Sequence, residues 1–238
     1  MGYVSPYYLS MTALILQARL DSSRLPRKAL LPLGEKPLIH CVMETLKQLD
    51  VPLRILACPE DDRVAFKDLA ASCNFELFCG SKYDVLGRFC SAIRHFALEE
   101  YRIIRATGDN PFVFTDAAEE INNEAAALNA AYSGYAGLPY GAGIESVTAA
   151  ALLQAEKITA EPYHREHVCP YLYENGAIFT LHRPLAPLKW QRPAIRLSVD
   201  TIDDYARAVL LYAELHDTPV KECSRGERVI GAYDRIFC

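Results

Sequence analysis

The stretch that decides the fold runs from residue 14 to residue 28 and reads Leu-Ile-Leu-Gln-Ala-Arg-Leu-Asp-Ser-Ser-Arg-Leu-Pro-Arg-Lys. It begins as a short apolar run over 13–16, which is typical of a fully buried parallel strand. From Gln17 onward it becomes polar, with four cationic side chains within ten positions. Pro26 favours an irregular path, because proline lacks a backbone donor and restricts the residue before it. The stretch therefore predicts a buried strand that leads into a cationic loop.

This cationic loop is a candidate binding site. Ligands of open α/β sheets bind at the carboxyl ends of the strands, which is where the loop lies. Arginine forks and lysine ammonium groups both suit phosphate oxygens, so we predict an anionic ligand, with polyphosphate as the simplest candidate. Charge alone also fits an ordinary solvated loop, because Lys and Arg are usually exposed. The order of strand, cationic loop and helix favours the binding site.

The composition limits the classes of protein to consider. The chain has 238 residues and a formal net charge of −5, which predicts one large domain and argues against a nucleic-acid partner. No apolar run approaches the ~20 residues that cross a membrane, so no membrane partner is expected. Residues 1–10 lack the features of a secretory signal and are set aside as an N-terminal extension. We expect a single domain over 11–218 and a C-terminal tail over 219–238.

The cysteines indicate the cellular compartment. The chain has eight of them, and none forms a C-x-x-C pair. Most have apolar neighbours, as in Leu-Ala-Cys at 56–58. This pattern argues against a zinc site and favours buried free thiols. Since free thiols persist under reducing conditions, we predict a cytoplasmic protein.

Hydrophobic periodicity predicts strands that alternate with helices up to about residue 135. Beyond 137 the chain becomes richer in turns, and the alternation is less regular. The whole pattern predicts the α/β class with a doubly wound, mostly parallel, Rossmann-like sheet. After the strand at 13–16, strands are expected at 53–58, 75–79, 103–107, 130–135, 177–182 and 194–199, and helices at 37–49, 59–72, 84–98, 115–128, 147–158, 163–175 and 201–216.

Two aspartates, Asp109 and Asp200, each follow a predicted strand. Because the carboxyl ends of parallel strands share one edge of a sheet, we expect both carboxylates to lie near the cationic loop. Mg²⁺ in phosphate sites usually takes one or two carboxylates and leaves its other positions to water and phosphate. The alternative for each residue is helix capping, which is common for an aspartate between a strand and a helix. Together with the loop, the pair favours a metal site.

Several blocks of the sequence together resemble a known family. Residues 17–28, followed by Pro-Leu-Gly at 32–34, are similar to the signature of cytidylyltransferases of the CMP-KDO synthetase type. The P-loop, dinucleotide and serine-hydrolase motifs are all absent from the chain. Arg27 departs from the glycine that is usual in this family. Further blocks resemble the branch named after spore coat polysaccharide biosynthesis protein F, and they lie in the family's order at 80–81, 84–88, 107–111, 165–168 and 199–201.

The resemblance spans about 14–215 and implies a nucleotidyltransferase domain. Such an enzyme transfers CMP from CTP to a sugar acid or related small acceptor for surface polysaccharide synthesis and releases pyrophosphate. By position, the resemblance implies Arg24, Lys28 and Asp109 as catalytic residues, with Asp109 and Asp200 as ligands of Mg²⁺. The implied nucleotide-binding residues are Gln17, Ala18, Arg19, Ser23, Arg24, Lys28, Asp84 and Arg88.

Residues 137–175 are the expected acceptor and dimer region. Glu145 is a candidate for hydrogen bonds to sugar hydroxyls, although an ordinary acid at a helix start is an equal alternative. Arg165 and His167 are further candidates for acceptor binding. His164 and His167 are three positions apart on a predicted helix, a spacing that allows both to share one face. We expect a homodimer formed through this region.

Two other functions stay open at this level. A glycosyltransferase with a similar nucleotide-binding half is one, but the Asp-x-Asp motif typical of that class does not occur around Asp109. The other is a nucleotide-binding partner subunit that has lost catalysis. Arg27 favours that subunit, whereas the presence of Arg24, Lys28, Asp109 and Asp200 favours an active enzyme.

Overall fold

The first strand, β1 (Thr12–Gln17), lies inside the sheet with a parallel neighbour on each side in the computed structural model, which describes residues 11–217 and 224–238. Leu14 and Leu16 point into one hydrophobic core, and Ala13 and Ile15 point into a second core on the other face. All four side chains are fully buried. A strand covered on both faces has no polar side, which explains the continuous apolar run.

Four parallel strands form one half of the sheet, the parallel half, in the order β5–β4–β1–β6. The chain builds outward from β1 to β4 and β5 and then crosses to β6 on the other side of β1. This reversal of direction between β1 and β6 is the switch point where such sheets open a crevice. The strands of this half are β4 (Leu53–Pro59), β5 (Glu76–Gly80) and β6 (Arg102–Thr107), and a separate antiparallel pair is formed by β2 (Pro32–Leu33) and β3 (Lys36–Pro37).

The other half of the sheet is mixed. β8 (Glu145–Thr148) pairs antiparallel with β6 and with β7 (Tyr132–Ser133), and β7 pairs parallel with β9 (Leu181–His182). The complete seven-stranded order is β5–β4–β1–β6–β8–β7–β9. The prediction of a doubly wound, mostly parallel α/β sheet is confirmed for the part that carries the site.

Helices cover both faces of the sheet. The α-helices are α1 (Leu38–Leu46), α2 (Arg63–Ser72), α3 (Val85–His95), α4 (Thr115–Ala127), α5 (Ala149–Ile158), α6 (Pro162–His167), α7 (Pro170–Glu174), α8 (Ile202–Asp217) and α9 (Arg225–Phe237). Short 3₁₀ helices lie at Lys28–Leu30, Glu60–Asp62 and Leu188–Trp190. The core around Leu14 includes residues of α1, α2, α4, α8 and α9, and the core around Ile15 includes residues of α3, α5 and α7.

The second half differs from the expected elements in four places. Residues 145–148 form a strand where a loop and helix start were expected. The expected helix over 163–175 is two short helices, because Val168 takes a positive φ of 73° and Pro170 starts the next one. Only the last two residues of 177–182 pair as a strand, and residues 194–199 form a single bridge, from Arg196 to Tyr140. Strand pairing depends on distant partners, which local periodicity does not report.

The predicted C-terminal tail contains α9, which packs against α4 and α8. Ser224 caps this helix and exchanges hydrogen bonds with Glu227, a reciprocal capping box. The predicted N-terminal extension, residues 1–10, lies outside the described residues, and so do residues 218–223, where the predicted domain meets the predicted tail. None of the helices in the described ranges is both long and apolar enough to cross a membrane.

Candidate active site

A cavity of about 660 Å³ opens at the carboxyl ends of β1 and β6. The cationic loop forms one wall, and residues 138–145 and the start of the second half of the fold form the other. The structure brings together there all but two of the side chains expected from sequence. The predicted site residues in its lining are Gln17, Ala18, Arg19, Ser23, Arg24, Lys28, Arg88, Asp109, Glu145, His167 and Asp200.

The cationic loop is held by groups outside the cavity. The backbone amide of Leu20 donates to Asp62 Oδ2 at 2.9 Å, and Asp21 pairs with Lys82 at 2.6 Å. The amide of Arg27 donates back to the carbonyl of Leu20 at 3.1 Å, which closes the loop on itself. The loop is therefore fixed by its own backbone and by the contacts of two of its residues with Asp62 and Lys82.

Lys28 is the central cation of the site. Its Nζ donates to Asp109 Oδ2 at 2.8 Å, to Asp200 Oδ1 at 2.8 Å and to the carbonyl of Val199 at 2.9 Å. Only 13% of its side chain is exposed, compared with 62% for Arg24, which pairs with Asp200 at 3.0 Å. Lys28 is therefore a fixed charge between two carboxylates, and Arg24 is a charge that can move.

The two aspartates are brought together by their loops. Asp109 accepts a backbone hydrogen bond of 2.9 Å at its carbonyl from the amide of Val199, the residue before Asp200. Gly141, at φ 91°, lets a third loop pass close by, since a Cβ there would lie 2.6 Å from the amide nitrogen of Ser198. Glycine is the residue that adopts this φ without strain. The prediction that the carboxylates lie near the cationic loop is confirmed by these contacts.

Asp200 is held in its charged form. Its burial would raise the pKa of the carboxyl group, but the hydrogen bond from Lys28 and the charges of Lys28, Arg24 and Arg196 hold that pKa below its ordinary value. Arg196 also pairs with Asp204 at 3.3 Å. The carboxylate is thus available as an anionic ligand across the physiological pH range.

A second ionic group lies on the opposite wall. Arg105, inside β6, pairs with Glu145 on β8, and its Nε donates to Gln17 Oε1 at 3.1 Å. Tyr132 donates its hydroxyl proton to Glu145 at 3.0 Å. Glu145 is therefore a fixed acceptor that two side chains, Arg105 and Tyr132, contact directly. The sequence signals for this wall and for the support of Asp200 were Arg105 and Arg196, each the single charged residue of a predicted strand.

Two expected site residues do not line this cavity. Asp84 caps α3 by accepting from the amide of Gly87 at 2.8 Å, and it pairs with Arg165 from α6. Arg165 also donates to the carbonyl of Glu156 at 2.9 Å. The pair joins α3 to the second half of the fold. The roles of Asp84 at the nucleotide and of Arg165 at the acceptor stay predictions.

Arg88 lines the cavity from within α3. It is almost fully buried, and this burial lowers the pKa of its guanidinium to about 10. One end donates to the carbonyl of Ser81, while Nε is buried without a hydrogen-bond partner among the described residues. A buried unsatisfied donor is costly, so this group is well suited to an acceptor on a ligand.

The mouth of the cavity is bounded by α6. Arg19 pairs with Glu166 at 3.2 Å, which bridges the cationic loop and this helix. His167 and Tyr163 also line the cavity, with their rings 4.8 Å apart. His164 does not line the cavity and instead contacts Thr159 and Glu174, so the expected shared face of the two histidines is not formed at the site.

Arg27, the departure from the family glycine, has a left-handed backbone with φ 55° and ψ 27°. This conformation is the one in which glycine carries no steric penalty. The backbone path that glycine would take is therefore kept here, with a cationic side chain added beside the loop.

The cationic loop and the pair of carboxylates lie at the switch point of the sheet, where open α/β folds bind ligands, and their charges suit a phosphorylated ligand. Residues 13–223 match the family described as Cytidylyltransferase, and the chain belongs to that family. It is a nucleotidyltransferase that uses CTP. The spore coat polysaccharide biosynthesis protein SpsF of Bacillus subtilis is 32% identical over 212 residues, covering 86% of this chain and 88% of SpsF.

Solved structures show the same architecture. A cytidylyltransferase from Leptospira borgpetersenii superposes with a TM-score of 0.79 at 25% identity and covers 94% of each chain. A CMP:2-keto-3-deoxy-manno-octonic acid synthetase in complex with CTP gives a TM-score of 0.66 at 16% identity, over 85% of this chain and 98% of that one. The second likeness is one of fold alone.

Proposed function

We propose that this protein is an Mg²⁺-dependent cytidylyltransferase that joins CMP from CTP to a sugar acid or related small acceptor and releases pyrophosphate. The observation that carries the proposal is the group of Lys28, Asp109 and Asp200 beside the cationic loop. In one cavity it joins a largely shielded cation to two carboxylates, each of which lies within hydrogen-bond distance of the Lys28 ammonium group.

The phosphate side of the site is the cationic loop. We assign Ser23 and Arg24 to the β- and γ-phosphates. Lys28 is less exposed than Arg24, and we assign its ammonium group to the α-phosphate, where charge develops. Fixed cations aimed at developing charge stabilise the transition state without reorganisation. Arg88 and Gln17 also line this cavity, and we assign them to the nucleoside.

Asp109 and Asp200 fit a magnesium ion by the chemistry of their donors. Both offer hard carboxylate oxygens, and Mg²⁺ in phosphate sites takes one or two such ligands. When bound, the ion would polarise the phosphoryl oxygens and neutralise their charge. The pairing of Asp200 with several cations keeps its oxygens ionised and in place.

The reaction is an in-line displacement at the α-phosphorus. An oxygen of the acceptor forms the new bond to phosphorus, the bond to the bridging oxygen breaks, and pyrophosphate leaves. Positioning of the two reactants and neutralisation of the phosphate charges supply most of the catalysis. Lys28 neutralises the α-phosphate, and Arg24 stabilises the leaving group.

The acceptor side is the opposite wall. Glu145 presents a fixed carboxylate to hydroxyl donors, and His167 and Tyr163 present aromatic and polar edges near the mouth. This mixture of hydrogen-bond acceptor, rings and cations suits a polyhydroxylated acid. The name of the SpsF relative supports a role in surface polysaccharide synthesis.

The test is pyrophosphate release with each of the four nucleoside triphosphates, with Mg²⁺, against a panel of sugar acids and sugar phosphates. Release with CTP and one acceptor is the expected result, and a CMP-linked product confirms the transfer. Clear CTP binding with no release from any acceptor would instead favour the non-catalytic subunit. Release of a free nucleotide from a nucleotide sugar would favour the glycosyltransferase.

Asp109→Asn should abolish turnover, because it removes the carboxylate nearest the α-phosphate while keeping the side-chain shape. The matched control is Asp203→Asn, which changes an exposed aspartate in the first turn of α8, three positions after Asp200 in the sequence. Full activity in a folded Asp109→Asn variant would overturn the metal assignment. Loss of activity in both variants would point to a general effect on the fold.

A further inference from the structure

We propose a second metal site on the side of the sheet that carries α1 and α2, formed by His40, Glu44 and Cys73 and suited to a thiol-binding divalent ion such as Zn²⁺. Among the described residues, the candidate ligand atoms of these three side chains lie within 4.8 Å of one another. The absence of C-x-x-C pairs had argued against zinc. The tertiary structure assembles a site that the spacing of cysteines does not show.

Two of the three ligands come from one helix. His40 and Glu44 are four positions apart on α1, so their side chains lie on the same face, one turn from each other. His40 is half-buried, whereas Glu44 is exposed and reaches the site from the solvent side. This spacing lets one rigid helix supply an imidazole and a carboxylate together.

The third ligand comes from the end of α2. Cys73 follows the last residue of that helix and is fully buried, and its Sγ lies 3.2 Å from His40 Nδ1. Its backbone is fixed by a hydrogen bond of 3.1 Å to the carbonyl of Ala70. The sulfur is therefore held against α1 by the packing of two helices.

The donors decide which metal fits. Imidazole, thiolate and carboxylate are the ligands of zinc, and three protein ligands with an open fourth position are typical of its exchangeable or catalytic sites. The pair Asp109 and Asp200 offers oxygen only and suits magnesium. When the metal binds, the Cys73 thiol loses its proton to solvent. The Glu44 carboxylate leaves its exposed ion pair with Lys47 and binds the metal instead.

The fourth position has access to a cavity. His40 and Glu44 line a second cavity of about 510 Å³, to which Lys36, Thr45 and Tyr212 also contribute. None of the three ligands lines the first cavity. A metal here would have room for water or a small anion and would tie α1 to the end of α2.

The test uses the full chain, stripped of metal with a chelator and then titrated with Co²⁺ and with Zn²⁺. We expect one ion per chain at this site, a sulfur-to-cobalt charge-transfer absorption, and displacement of cobalt by zinc. Cys73→Ser and His40→Ala should abolish the absorption. Glu44→Gln should weaken binding by about tenfold or more, since loss of even an outer-shell partner has effects of that size.

Cys41→Ser is the matched control, because Cys41 lies on the same helix and beside the same cavity but is not one of the ligands. It should keep the full cobalt absorption. Asp109→Asn should keep it too, which separates this ion from the magnesium of the active site. The result does not depend on the proposed activity, because binding is read by absorption and not by turnover.

An absence of thiolate absorption in the wild-type protein would overturn the proposal. Equal absorption in wild type and Cys73→Ser, or its loss in Asp109→Asn, would overturn it as well. Circular dichroism and thermal unfolding of the metal-free variants show whether each is folded. If Cys73→Ser fails to fold, His40→Ala and Glu44→Gln, which change less buried side chains, decide the question.

Discussion

At the scale of single residues, the central feature of the cavity is one largely shielded cation, Lys28, between two carboxylates. Lys28 has three hydrogen-bond acceptors within 2.9 Å, and its position is set by the 3₁₀ helix that follows the loop. Arg24 makes one contact and is largely exposed. The two cations share a catalytic assignment but differ in what they contribute to stability, and this difference can be measured.

Lys28→Ala and Arg24→Ala should each lower kcat by about 10²–10³, the usual effect of losing one group that stabilises transition-state charge. Their effects on stability should differ. Lys28→Ala leaves Asp109 and Asp200 without their shared partner and should cost about 1–3 kcal/mol of unfolding free energy. Arg24→Ala removes an exposed pair and should cost less than about 1 kcal/mol. Steady-state kinetics and urea denaturation give the two numbers, and equal stability losses would contradict this account.

Arg27 makes a prediction about the backbone. Its left-handed conformation carries a penalty of about 1–2 kcal/mol for a residue with a Cβ. Arg27→Gly relieves this penalty but adds freedom to the unfolded chain, so the unfolding free energy should change by less than about 1 kcal/mol. Arg27→Val should be clearly less stable than Arg27→Gly, because a β-branched side chain is poorly accommodated at positive φ. Urea denaturation of both variants is the measurement. A valine variant as stable as the glycine variant would show that the loop takes another path.

At the scale of elements, the helices carry charges that suit or oppose their positions. α4 has Asp116 in its first turn, where the helix dipole favours an acid, and Asp116 also accepts from the amide of Gly226 at the start of α9. Glu119 lies one turn further along the same helix. Burial, together with the charges of Asp116 and Asp50, raises the pKa of Glu119 above its ordinary value.

This shift predicts a pH-dependent effect of Glu119→Gln. Because the pKa of Glu119 is higher in the folded state than in the unfolded state, ionisation destabilises the fold as pH rises through the folded pKa. At pH 8 the variant should therefore be more stable than the wild type, by less than about 1 kcal/mol because the side chain is partly exposed. Below the ordinary pKa of a glutamate side chain, about 4.3, the difference should vanish. Thermal unfolding of both proteins at pH 8 and pH 4 measures this difference in stability. A variant less stable than the wild type at pH 8 would contradict the direction of the Glu119 pKa shift.

At the scale of the whole molecule, residues 137–175 combine one wall of the active site with exposed apolar surface. Ile158 is 52% exposed and Tyr163 is 54% exposed, and both belong to the region predicted to form the dimer. Apolar side chains grouped on a surface are typical of association sites. We therefore propose that a second copy of the chain covers this region.

Ile158→Glu should shift the protein from dimer to monomer, because a carboxylate buried in an interface without a partner is strongly unfavourable. The matched control is Val64→Glu, which changes a side chain that is 89% exposed and lies on α2, outside this region. Sedimentation velocity of both variants and the wild type is the measurement. A monomeric wild-type protein, or dimer loss in the control, would contradict the proposed interface.

Much of the parallel half of the sheet, β5–β4–β1–β6, could be predicted from local sequence. The apolar run before Gln17, the cations after it and the two aspartates after their strands were sufficient to place the site at one edge of the sheet. These signals are local, because a buried parallel strand needs consecutive apolar residues and a phosphate loop needs nearby cations. The chain order of the strands then sets the switch point.

The rest depends on contacts between residues far apart in the chain. β8 exists because it has β6 on one side and β7 on the other, and the wall with Arg105 and Glu145 joins residues forty positions apart. The proximity of Cys73 to His40 arises from the packing of α1 on α2. Local patterns report burial and charge but not which partners meet. By itself, therefore, the sequence determined the class of fold and the cationic edge of the sheet, and only the tertiary structure decided which side chains meet Glu145 and that His40, Glu44 and Cys73 lie together.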